Sequence, residues 1–279
     1  MTPVHPEFLP DATLSREAMA ELQRNIADIA RFEDDLGFEP DDIAVEAPVD
    51  ETPAESRGST ATTLDNHSES PQADAPEADA PLVVGVDQAF LEERAVSALV
   101  AIQDGEVVER AHAVTDLEIP YTPGLLAFRE GGPILAAFED LAVEPDLAVF
   151  DGSGRIHFRQ AGIATHVGVV LDLPSIGVAK SLLCGEPDES IDGRPEGWST
   201  PIRADNRVEA PERTVLGHAY QSRQWERAQS INPLYISPGH RVSAETTVDL
   251  VDALCAGYKL PEPTRLADGD ADELKAQYR

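Results

Sequence analysis

Lysine is nearly absent from this chain: its 279 residues include three, Lys180, Lys259 and Lys275. Arginine brings the basic total only to 21, against 52 aspartates and glutamates, for a net charge of −31. So acidic a chain cannot hold an anionic polymer or membrane through a general basic surface. Any such partner has to be gripped locally. The two cysteines, Cys184 and Cys255, are single and far apart. That excludes a disulfide framework or a zinc knuckle and fits core thiols in a reducing compartment. There is no run of about 18 apolar residues, so no membrane span is expected. The acidic N-terminus has no basic and apolar leader pattern, and a cytoplasmic protein is expected. Residues 1–82 hold 20 acids and 4 bases, net −16, which leaves −15 for the remainder. The acid excess is therefore not confined to a tail. With little lysine and few aromatics, it reads as the surface of a protein working in concentrated salt.

What is present sorts by periodicity. Residues 13–36 read as an amphipathic helix capped by Thr13 or Ser15, with Leu22, Ile26 and Ile29 on one face and Gly37 as its stop. From 39 to 81 the chain is rich in Pro, Ala, Ser, Thr and acids, with little to bury, and reads as a disordered acidic linker. Strand-type runs follow at 82–87, 95–102 and 106–113, the last two joined by Asp104-Gly105, a hairpin signal. Helices are expected over 125–143, 163–171 and 243–255, and strands over 147–150, 175–178, 214–216 and 234–237. The expectation is an α/β domain with a mixed sheet flanked by helices over residues 82–267. An N-terminal helical segment (1–38) and the linker precede it, and a C-terminal tail (268–279) follows.

Two strands end in an acid: Leu82–Asp87, and Leu147–Asp151 before Gly152. The C-terminal edge of a sheet is where α/β proteins bind ligands. A lone Asp after a strand is ordinarily a turn former. Two of them with Glu130 on the intervening helix form a hard oxygen set of the kind Mg²⁺ or Mn²⁺ takes, since carboxylates that close need a cation between them. Such a constellation points to phosphoryl chemistry.

The spaced motifs Pro120-Tyr121-Thr122-Pro123-Gly124, Phe128-Arg129-Glu130, Asp151-Gly152, His157, Gly162, His166, Val178-Ala179-Lys180-Ser181 and Ser237-Pro238-Gly239-His240-Arg241 resemble those of the endonuclease V family, in order and spacing. The resemblance implies a ribonuclease H-like fold and a Mg²⁺ cofactor for which Mn²⁺ may substitute. It also implies nicking at the second phosphodiester 3′ of deoxyinosine and other deaminated bases, leaving 3′-OH and 5′-phosphate ends. Asp87 and Asp151 then resemble the metal ligands, with Glu130 completing the carboxylates, Lys180 at the scissile phosphate and His240 near the metal or its water. Tyr121 resembles a wedge that fills the gap left by a displaced base, in a loop stiffened by Pro120 and Pro123. Gly124 and Gly162 would let backbone approach that base, and His157 resembles a histidine of the site region, whereas His166 reads as structural. The expected partner is DNA containing deaminated bases, with no membrane. The alternatives are an inosine-specific endoribonuclease, or a binder of deaminated nucleic acid that does not cut. Two features depart from the family pattern: Phe158 stands where a proline is usual, and the linker is long.

Overall fold

The computed structural model describes residues 1–50, 80–224 and 231–279. Its frame is a nine-stranded sheet in the order β3-β2-β1-β4-β5-β9-β8-β7-β6. Here β1 is Val83–Phe90, β2 Arg94–Gln103, β3 Glu106–Asp116, β4 Leu147–Asp151, β5 Ser175–Ala179, β6 Glu186–Pro187, β7 Ser199–Arg203, β8 Val215–Tyr220 and β9 Leu234–His240. Only β1–β4 and β4–β5 pair in parallel; the other neighbours are antiparallel. The β2–β3 turn takes positive φ at both Asp104 and Gly105, as a two-residue hairpin of this twist requires.

Alternation along the strands divides the core in two. Val84, Val86, Ala148 and Phe150 join one cluster with Phe138 of helix α2 (Leu126–Asp140) and Val167 of α3 (Ile163–Leu171). Val83, Leu147, Val149, Ile176 and Val178 join the other, with Leu250 of α4 (Ala244–Ala253) and Leu266 of α5 (Glu262–Gln277). Period-two side-chain alternation thus sets two helical layers on opposite faces of one mixed sheet.

Four expectations need correction. The N-terminal helix, α1, is shorter than residues 13–36: it spans Arg16–Ile29, with the Ser15 side chain accepting from the Ala18 N–H. Its buried set is Met19, Gln23 and Ile26, while Ile29 is exposed. Residues 40–49, read as the start of the linker, are packed against the domain: Ile43, Val45 and Val49 are buried in the α4–α5 core. Three scattered apolar residues suffice there because the Val45 N–H reaches the Ala253 carbonyl and the Val49 N–H reaches the Glu262 carboxylate. The rest of the expected linker, 51–79, lies outside the described residues. At the other end there is no tail from 268, because α5 runs through Gln277 and covers β1 and β2.

Candidate active site

The two acids that close strands lie side by side. Val86 on β1 is in register with Phe150 on β4, so the next positions of two adjacent parallel strands are Asp87 and Asp151. By alternation, both continue the rows of Val83 and of Leu147 and Val149, on the α5 side of the sheet. Lys180 continues the row of Ile176 and Val178 just past β5. The third carboxylate at this edge is one that sequence reading missed, Asp268 of α5. Oxygens of Asp87, Asp151 and Asp268 lie within 4.8 Å of one another.

Lys180 binds this group from the open side, its Nζ 2.7 Å from Asp151 Oδ2 and 3.0 Å from Asp268 Oδ1. Burial pulls the ammonium pKa down, but its bonds and charge contacts with the two acids outweigh that, and the net shift is upward. One cation does not neutralise three acids. Burial, and then the charge of Asp151, push the Asp87 carboxyl up to about 8. Hard oxygen donors this close, one of them driven toward its protonated form, fit a divalent cation such as Mg²⁺ or Mn²⁺, which would restore the ionised set.

Glu130 comes from α2, on the opposite face. It is buried, receives a 3.3 Å bond from Arg129, and is pushed up to about 7, chiefly by burial. It does not join the 4.8 Å group, but it lines the same cavity of about 430 Å³ as Asp87, Asp151, Arg129 and Tyr121. Tyr121 is 64% exposed between the exposed Pro120 and Pro123, so an aromatic ring stands at the rim of the carboxylate cavity.

Gly124 and Gly162 occupy positions that a side chain would strain or crowd. Gly124 has φ +78°, and a β-carbon there would lie 3.0 Å from the Phe158 ring. Phe158, at the proline position of the family pattern, therefore packs on the end of the tyrosine loop. Gly162 precedes α3, and a β-carbon on it would lie 2.2 Å from the Ser153 carbonyl oxygen. The start of α3 thus rests on the backbone just beyond Asp151.

Neither His157 nor His240 joins the Asp87–Asp151–Asp268 group. Nδ1 of His157 accepts from the Arg159 N–H, so Nε2 carries the proton and donates to the Gly124 carbonyl at 3.2 Å. Burial, then the Arg159 charge, hold its pKa down at about 3, consistent with this neutral ring. His157 therefore holds the Pro120–Gly124 loop and leaves neither ring nitrogen free. The expected place of His240 beside the metal needs correction. His240 pairs with Ser175, at the end of β5 remote from Asp151 and Lys180. It is 2% exposed, donates to Asp172 Oδ1 at 3.1 Å and accepts from the Arg31 N–H. It ties the segment after α1 to the far edge of the sheet. His166, read as structural, is fully buried against the Phe8 carbonyl.

Comparison with known proteins places the chain beside one family. The profile of the Endonuclease V family matches residues 65–269. Endonuclease V of Haloarcula marismortui is 55% identical over 98% of this chain and 97% of its own length, and that of Halobacterium salinarum is 51% identical over 98% and 100%. Among solved structures, Endonuclease V of Streptomyces avermitilis superposes with a TM-score of 0.68 at 27% identity, covering 95% of each chain. The catalytic domain of human Endonuclease V superposes at 0.65 with 29% identity, covering 95% of this chain and 98% of the other.

Proposed function

We infer that this chain, which belongs to the endonuclease V family, is a metal-dependent endonuclease of DNA repair. It nicks at the second phosphodiester 3′ of deoxyinosine and of other deaminated bases, leaving 3′-OH and 5′-phosphate ends. One observation carries this reading: three carboxylates within 4.8 Å of one another at the open end of two parallel strands, with a lysine on them and an exposed tyrosine on the cavity that Asp87 and Asp151 line. Three antiparallel strands followed by two parallel ones also agree with a ribonuclease H-like domain.

Asp87, Asp151 and Asp268 would hold the divalent cation, which when bound supplies Lewis-acid polarisation of a phosphate and acidifies water. Lys180 places a positive charge beside the same carboxylates, where it offsets the charge that builds on the phosphate as the bond breaks. Tyr121, on a loop whose prolines limit its freedom, offers a ring for stacking on bases. The Gly124 and Gly162 segments bring backbone close enough to read a keto oxygen in place of an amino group. Among the described residues no helix is long and apolar enough to cross a membrane, and the proposed setting is the cytoplasm of a cell with concentrated internal salt. The persistence of the acid excess beyond residue 82 supports that setting.

The test is incubation with Mg²⁺ in molar KCl with single-inosine DNA, the matching RNA, and adenine controls, followed by mapping of the cut. A Mg²⁺-dependent nick one nucleotide beyond the inosine's own 3′ phosphate in DNA is expected. Preferential cutting of the RNA would move the substrate to RNA, and binding without any Mg²⁺-dependent product would refute the nuclease reading.

A further inference from the structure

Helix α1 carries a polar residue where its packing calls for an apolar one. Gln23 lies between Met19 and Ile26 on the buried face and is 0% exposed. An unpartnered amide there would be costly, and a leucine would fit the same stripe. The amide is fully used instead. Its Nε2 donates to the carbonyls of Gly124 at 3.1 Å and Ala161 at 3.4 Å, while its Oε1 accepts from Arg159 Nε at 2.8 Å. Flipping the amide would set its oxygen against two carbonyls, so the three bonds fix its orientation.

The Gly124 carbonyl is the hub of a larger constellation. Arg159 Nη2 donates to it at 3.1 Å and His157 Nε2 at 3.2 Å, alongside Gln23. Gly124 ends the loop that carries Tyr121, and Ala161 directly precedes Gly162 and the start of α3. One side chain from the N-terminal helix thus bridges the two backbone segments that flank the cavity.

We propose that Gln23 is a positioning residue for base recognition, holding the Pro120–Gly124 loop and the start of α3 at a fixed separation so that Tyr121 and the two glycine segments meet a displaced base together. The proposal rests on the functional reading above. It assigns to α1, a helix that supplies none of the three clustered carboxylates, control of substrate engagement rather than of bond cleavage. Gln23 and the Asp87–Asp151–Asp268 group should therefore separate kinetically.

The test uses the full chain and two variants. Gln23→Met keeps length and volume and removes both polar functions. Gln23→Glu keeps the acceptor for Arg159 but turns a carboxylate toward two carbonyls. Single-turnover cutting of a single-inosine duplex is measured across enzyme concentrations in Mg²⁺, beside amide hydrogen exchange of residues 119–126 and of β1 and β4 in the free protein. Losing all three buried hydrogen bonds in Gln23→Met, or the two to the carbonyls in Gln23→Glu, should raise the half-saturating enzyme concentration by about tenfold. The rate at saturation should hold within about threefold. Exchange in 119–126 should quicken while β1 and β4 keep wild-type protection.

Unchanged half-saturation and unchanged loop exchange in a folded variant overturn the proposal, as does an equal fall in saturated rate and in exchange protection of β1 and β4. Should Gln23→Met not fold, Gln23→Glu is judged by the same criteria. Should neither fold, the wild-type Gln23 side-chain amide protons decide: protection from solvent exchange supports the hold, and exchange at the free-amide rate overturns it. A wild-type enzyme that treats inosine and adenine duplexes alike would instead refute the functional reading, and the exchange measurement would still decide whether Gln23 holds the loop.

Discussion

A β-carbon added to Gly85 would lie 2.0 Å from the carbonyl oxygen of Pro263. The first turn of α5 therefore rests directly on the backbone of β1, two residues before Asp87. The same helix delivers Asp268 about a turn and a half further on. Gly85→Ala should push α5 off the sheet, with about 1–3 kcal/mol of destabilisation from overpacking. It should also weaken Mn²⁺ binding by about tenfold or more, because Asp268 leaves its partners. Calorimetric titration of folded protein with Mn²⁺ checks this, and wild-type affinity in the variant would show that α5 contact does not set the site.

The acids and His240 should part company on mutation. Replacing Asp87, Asp151 or Asp268 with Ala is expected to slow single-turnover cutting by at least ~100-fold, about 2.7 kcal/mol of transition-state stabilisation. His240→Gln should leave the rate within a few-fold of wild type. Its cost falls on stability, because the bonds to Asp172 and to the Arg31 N–H are lost or strained at the far end of the sheet. A ~100-fold rate loss in a folded His240→Gln enzyme would return that residue to the site.

Metal-free stability should depend on pH through Asp87, whose carboxyl is raised from 3.8 to about 8. A raised acid binds its proton more tightly in the folded than in the unfolded chain. Stability is thus retained below the unfolded value and falls as pH rises from about 4 toward 8. Asp87→Asn removes the effect. In EDTA it should raise the melting temperature at pH 8 and change it little at pH 4. Saturating Mg²⁺ should shrink or reverse the gain at pH 8, since the cation stabilises the ionised form in the wild type. A variant that melts with the wild type at pH 8 in EDTA would show that Asp87 carries no such strain.

Much of this architecture was legible along the chain, and its gaps have physical causes. Apolar runs ending in Asp87 and Asp151 announced both the central strands and the acids, because the strand period and a terminal carboxylate are local features. Helix α3 has the expected bounds, and Ser243 caps α4 as its sequence implies. Asp268 escaped because α5 shows no strong apolar stripe: its buried set includes Ala267 and Ala271, and its acids and Gly269 read as tail composition. Gln23 escaped because a polar residue on an apolar face carries no periodic signal, and its three partners are more than 100 residues away. His240 was placed by motif, and motif spacing does not say which end of a strand faces the site.

Salt supplies the remaining test, and its sign follows from charge. Ordinary nucleic-acid binders are basic, and their affinity falls with salt as counterions are released. This chain has a net charge of −31, so at low ionic strength its distant acids repel DNA. At 0.1 M salt the screening length is about 10 Å, and near 1 M it is about 3 Å. Repulsion from remote carboxylates should then vanish, while the direct contacts proposed above, metal to phosphate, Lys180 to phosphate and Tyr121 to base, should persist. Surface pairs such as Arg24–Glu209 at 2.7 Å are exposed on both sides and add little at any salt. The nicking rate on single-inosine DNA is therefore expected to climb from ~0.1 M to ~1 M KCl, first through folding and then through relief of repulsion. Circular dichroism followed beside the rate separates the two phases, since only the second occurs at constant fold. A folded enzyme that cuts fastest near ~0.1 M KCl and declines steadily above it would refute the high-salt setting and leave the nuclease assignment intact.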